Sequence, residues 1–122
     1  MKGIEEELGL DNRQHGCYAL RALLNTLRDR LPSEVAIKLS AQFPIVVRGI
    51  YYDGWHAAGT PTRERHIPEF VEHVASKLPQ RFPANPLVVA RAVFEILWEK
   101  LDPDEFTKIM NHLPLALRAL QP

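Results

Sequence analysis

The run Leu20-Arg21-Ala22-Leu23-Leu24-Asn25-Thr26-Leu27-Arg28-Asp29-Arg30-Leu31-Pro32 decides the fold. Leu20, Leu23, Leu24, Leu27 and Leu31 recur at i, i+3, i+4, i+7 and i+11, which is one face of a helix. Prolines then parse the rest of the chain. Pro44, Pro68, Pro86, Pro103 and Pro114 each precede a run with helical spacing. Proline suits the first turn of a helix, where its missing N–H would have no partner in any case. Ser33, Asn85 and Asp102 stand where N-caps belong. The spacing predicts helices over Gly3–Leu8, Gln14–Arg30, Ser33–Gln42, Pro44–Tyr52, Pro68–Lys77, Pro86–Lys100, Pro103–Asn111 and Pro114–Leu120, with a loop over Asp53–Ile67. Ile45–Ile50 has the β-branched content of a short strand, but no second strand exists to pair with it, so it is read as helix.

The long helix has a second version. Shifted by 70 residues, the chain overlays on itself without a gap. Arg21 meets Arg91, Leu27 meets Leu97, Leu31 meets Leu101, Pro44 meets Pro114 and Arg48 meets Arg118. Ala90, Val93, Phe94, Leu97 and Leu101 take the places of Leu20 through Leu31. The expected architecture is an all-α bundle of about eight helices, built from two similar four-helix halves (1–52 and 71–122) joined by a connector (53–70) that has no counterpart. A half of about 50 residues buries too little surface to be safely stable alone, so both halves are expected to share one core, related by a pseudo-twofold axis. At 122 residues the chain is one domain.

Composition excludes several functions. Fifteen Lys and Arg balance fifteen Asp and Glu, whereas a nucleic-acid binder needs a basic excess to neutralise phosphates. No apolar run approaches the roughly 20 residues of a membrane span, and the residues after Met1 are acidic rather than signal-like. The single cysteine, Cys17, allows no internal disulfide. A cytoplasmic protein is expected. Gly-rich phosphate loops, Cys-x-x-Cys pairs and the Gly-x-Ser-x-Gly elbow are all absent from the sequence, and no cofactor is expected.

Arg21-Ala-Leu-Leu-Asn-Thr-Leu-Arg-Asp-Arg-Leu-Pro, Ala41-Gln-Phe-Pro, Arg48-Gly-Ile-Tyr-Tyr-Asp-Gly-Trp55, Thr60-Pro-Thr-Arg63 and the Arg91-Ala-Val-Phe run together resemble the bacterial family catalogued as domain of unknown function 2267. The Tyr-Tyr-x-Gly-Trp stretch is the most specific element, and the resemblance covers nearly the whole chain. It implies an all-helical domain and carries over no catalytic residues. It also implies that this chain starts a few residues late relative to the family's first helix.

Five groups of side chains are candidates for chemistry. The connector sets Tyr51, Tyr52, Asp53, Trp55 and His56 side by side, with Arg48, Arg63, Arg65 and His66 adding positive charge. One reading is an anion pocket in which Tyr52 and Trp55 are walls, Arg48 and Arg63 hold a carboxylate or phosphate, and Asp53 or His56 moves protons. The other is aromatic packing that pins a long loop across the seam of the halves. Arg48 and Arg118 either share an anion near the pseudo-twofold axis or bond the C-terminal carbonyls of their own short helices. His66, Glu69 and His73 have a weak metal-like spacing, better read as solvated. Cys17 and His15, two apart on a helix, point in different directions and make a poor nucleophile–base pair. Trp98, in the place of Arg28, belongs either to the second half's core or to an exposed self-association surface.

The leading expectation is a non-catalytic interaction module, expected to act as a homodimer or with an unidentified protein partner and to bind neither nucleic acid nor membrane. The alternative is a small-ligand (anionic metabolite) binder or enzyme using residues 48–66, with Arg48, Tyr52, Asp53, Trp55, His56 and Arg63 at the site.

Overall fold

The computed structural model describes residues 13–122. The helix expected over Gly3–Leu8 lies outside the described residues. Among the described residues the chain forms six α-helices and two 3-10 segments, with no strand: α1 (Arg13–Arg30), α2 (Ser33–Ser40), α3 (Ile45–Tyr52), a 3-10 turn (Ala57–Gly59), α4 (Ile67–Ser76), α5 (Pro86–Lys100), α6 (Pro103–Asn111) and a 3-10 segment (Leu115–Leu120). The described residues are all-α, as the periodicity predicts.

Helix α1 is the axis of the molecule. It packs against α3, α4 and α5, so it buries more than the single leucine face expected of it. Ala19, Ala22, Asn25, Thr26 and Arg28 are buried along with Leu20, Leu23, Leu24 and Leu27. A helix enclosed on several sides keeps few residues in water, and here Arg21 is one of them. Helix α5 is covered in the same way through Val89, Ala90, Ala92, Val93, Phe94 and Leu97. Helix α4 lies on α5, α1 and the C-terminal 3-10 segment. Its Phe70 and Val74 are wholly buried, with the Phe70 ring 6.4 Å from that of Phe94. Helix α6 packs on α2 and α5.

The proline boundaries hold, with local corrections. The Asn85 side chain accepts the Leu87 N–H at 2.8 Å, and the Asp102 side chain accepts the Asp104 N–H at 2.9 Å, so α5 and α6 are capped as expected. Ser33 is not a cap. Pro32, in extended conformation, takes that place, and Ser33 is the first helical residue, with its Oγ 3.4 Å from Thr60 Oγ1. Helix α2 stops at Ser40 rather than Gln42. There the N–H groups of Ala41, Gln42 and Phe43 turn to carbonyls three residues back, which tightens the chain before Pro44. Residues 115–120 form 3-10 rather than α-helix. Their buried residues, Leu117 and Leu120, are three apart, the spacing that a 3-10 helix stacks in register. In α3 the wholly buried residue is instead Tyr51, four residues beyond Val47.

Trp98 is neither fully in the core nor free of it. It is 51% exposed, yet its ring stands edge-on to Phe106 with centroids 5.3 Å apart.

Candidate functional site

The connector is organised by a residue the sequence reading passed over. Arg28 is 2% exposed near the end of α1. Its Nε and Nη2 both reach Asp29 Oδ1, at 2.8 and 2.7 Å. Its Nη1 donates to the Tyr51 and Asp53 carbonyls at 2.8 and 2.9 Å, and to Asn25 Oδ1 at 3.3 Å. A buried guanidinium must have its donors met, and here the open C-terminal carbonyls of α3 meet them. Asp29 is completed from the other side by Lys77 Nζ at 3.0 Å, so one ion cluster joins α1, the end of α3 and the end of α4. No periodicity marks a buried arginine. In sequence the only sign was Asp29 beside it and an aromatic, Trp98, at the matching place 70 residues on.

The two tyrosines clamp α3 to α2. Tyr51 O–H donates to the Ala36 carbonyl at 2.7 Å and Tyr52 O–H to Ser40 Oγ at 2.7 Å, which in turn donates to the Ile37 carbonyl at 2.6 Å. Burial pushes the Tyr51 phenol far above its ordinary value, with a smaller upward push from Tyr52. The rings of Phe43, Tyr51, Tyr52 and Trp55 then stack in sequence at 5.2 to 5.6 Å between centroids. Gly54 makes the last step possible. Its φ of 74° is left-handed, a conformation glycine adopts without strain, and it turns Trp55 back so that its N–H meets the Tyr52 carbonyl at 3.1 Å. The Trp55 indole N–H is buried without an acceptor among the described residues.

The six residues proposed as an anion site are therefore distributed as follows. Arg48 Nε and Nη2 donate to the Ser40 and Phe43 carbonyls, both at 3.1 Å. Tyr52 points at Ser40, and Trp55 lies on Tyr52. Asp53 gives its carbonyl to Arg28, while its carboxylate stands 3.7 Å from exposed Arg21. His56 is exposed at the start of the 3-10 turn. Arg63 borders a different cleft, shared with Thr62, Glu64, Glu69, Glu72, His73 and Ser76.

Arg118 repeats what Arg48 does. Its Nε donates to the Leu113 carbonyl and its Nη2 to the Asn111 carbonyl, both at 3.1 Å. Both arginines bond carbonyls at the end of the preceding helix and the turn after it, not those of their own segment. Of the metal-spaced trio, Glu69 accepts the His66 N–H at 3.2 Å at the start of α4, and His73 pairs with Glu64. Glu64 itself is 5% exposed and also accepts from Thr62 Oγ1. No group of three metal-ligating side chains converges among the described residues. Cys17 is half-buried, and His15 sets its ring edge-on to Phe82 at 5.6 Å.

A feature the sequence did not show lies on the opposite flank of α1. A groove of about 490 Å³ opens between α1, the start of α3 and the end of α5. Leu20, Leu24, Phe43, Val47, Ile96 and Leu97 form its floor and walls, with Gln42, Glu99 and Lys100 among its polar residues. Exposed Ile45 and Val46 flank Val47 on the same short helix.

The fold defines a small helical-bundle domain with a shallow groove beside α1 and no helix, among the described residues, long and apolar enough to cross a membrane. A family model described as "Uncharacterized conserved protein (DUF2267)" matches residues 1–120, and the chain belongs to that family. No curated protein matches it.

Proposed function

We propose that this protein is a non-catalytic interaction module made of two similar halves, 1–52 and 71–122, which binds another protein through the groove between α1, α3 and α5. The observation that carries the reading is the groove itself. A trough of about 490 Å³ lies over buried Leu20, Leu24, Phe43 and Leu97, with half-buried Val47 and Ile96 on its walls and exposed Ile45 and Val46 beside it, and apolar openings of this kind mark sites of association. The connector supports the same reading from the other side, because Arg48, Tyr52 and the Asp53 carbonyl are committed to backbone and side-chain partners within the domain.

Support for two similar halves comes from matching positions. Helices start at Ser33 and Pro103, 70 residues apart, and Leu31 and Leu101, both buried, close the helices before them. Arg48 and Arg118 make the same kind of tie. The apolar dye 1-anilinonaphthalene-8-sulfonate tests the groove. Its fluorescence should rise on the native chain, its amide shifts should map to residues 42–47 and 96–101, and Val47→Glu should remove the signal while the circular dichroism stays helical. Dye that binds elsewhere, or not at all, refutes the groove.

A further inference from the structure

Helix α5 turns most of its surface into the core and leaves one stripe outside. Val88, Arg91 and Trp98 are exposed and Glu95 is half-buried. They follow one another at spacings of three, four and three, the seam along which two helices pack. The ends of the stripe are apolar: Val88 is 50% exposed and Trp98 51%. The Trp98 ring is braced against Phe106, so little side-chain freedom is left for a partner to freeze out. None of the four residues lines the groove.

The middle of the stripe is charged. Neither the Arg91 nor the Glu95 side chain makes an ion pair or hydrogen bond among the described residues. They stand four apart with the arginine first, which is the weaker order for a pair within one helix. Both charges are left for a group from outside.

The order apolar, positive, negative, apolar is complementary to itself. A twofold axis at the level of Val93 lays a second α5 antiparallel on the first. Val88 then meets Trp98 of the partner subunit, and Arg91 meets Glu95 of the partner subunit. Both kinds of contact share that axis, so each forms twice in a single register. A parallel, in-register pair would instead set arginine on arginine and glutamate on glutamate, so charge selects the antiparallel direction.

We infer that a second copy of this chain covers this stripe, in a symmetric antiparallel α5 pair with two Arg91–Glu95 ion pairs at its centre and Val88 against Trp98 at its ends. Helix α5 has 15 residues and is roughly 22 Å long. One seam of that length falls short of the roughly 800 Å² per partner of a standard interface, so a dissociation constant of about 0.05–0.5 mM is expected.

Sedimentation equilibrium of the full chain from about 20 µM to about 2 mM tests this. The mass should rise from 13.9 kDa toward that of two chains. Arg91→Glu alone, or Glu95→Arg alone, sets like charges against each other and should weaken the association at least about tenfold. Mixing the two single variants in equal amounts faces every glutamate with an arginine again and should restore it, as should the double variant. Should a charge variant lose its helical circular dichroism, Val88→Asp is the second probe and should abolish the association by itself. A mass that stays at 13.9 kDa at the highest concentration overturns the inference. So does association that these variants leave unchanged, or that mixing fails to restore. So does association lost in Val47→Glu, because the groove would then be the shared surface.

Discussion

The two flanks of α1 are covered differently. On one, α4 covers the apolar surface, buries Phe70 and Val74, and is locked by Lys77 on Asp29. On the other, a groove runs beside Leu20, Leu24 and Phe43, themselves buried, with half-buried Val47 and Ile96 on its walls and Glu99 unpaired at its edge among the described residues. The connector accompanies only the closed flank. Arg30 donates to the Glu64 carbonyl at 2.7 Å, Thr62 N–H meets the Asp29 carbonyl at 2.8 Å, and His73 pairs with Glu64. The difference teaches that closure is achieved by α4 together with Thr62 and Glu64 of the connector.

The largest expected effect tests the closed flank. Phe70→Ala should cost about 3–5 kcal/mol of stability in urea unfolding, because a wholly buried ring leaves a cavity. Val47→Ala on the open flank should cost less than about 1 kcal/mol. Equal losses would mean that the groove is not open in solution. Arg28→Met comes next. It strips the Tyr51 and Asp53 carbonyls of their donor and leaves Asp29 with Lys77 alone, for an expected cost of about 3–4 kcal/mol. At the matching position, Trp98→Ala removes a half-exposed ring and should cost about 1–2 kcal/mol.

A pH-dependent term belongs to Tyr51. The Tyr51 phenol is held above its ordinary value chiefly by burial. The folded state therefore keeps a proton that the unfolded chain loses above about pH 10. Stability from this group is full below that pH and falls above it by about 1.4 kcal/mol per pH unit. Tyr51→Phe should remove that slope in alkaline urea titrations while losing the bond to the Ala36 carbonyl. The smallest effect is the most symmetric. Arg48→Gln and Arg118→Gln should each cost about 1 kcal/mol and add in the double variant, since each ties a separate turn. Unequal costs would weaken the equivalence of the halves.

Much of the architecture was legible because it is local. The Leu20–Leu31 spacing, the prolines before each helix and the caps at Asn85 and Asp102 act within a turn or two of the chain. Tyr51, Tyr52 and Trp55 were legible as a cluster, since Gly54 returns the chain on itself within four residues. Their role was not, because Tyr51 and Tyr52 bond carbonyl and hydroxyl oxygens of α2, 15 and 12 residues away respectively.

The sequence by itself determined which segments are helical and roughly where each stops, through periodicity and through proline's fixed φ and missing N–H. Only the tertiary structure decided which charges are buried and which face is left open. Arg28 and Glu64 look like any other surface charges in the sequence, and they are buried because partners 23 to 25 residues from Arg28, and nine from Glu64, come within reach. The groove exists because the start of α3 and the end of α5 meet beside α1, an arrangement set by packing that no local spacing encodes.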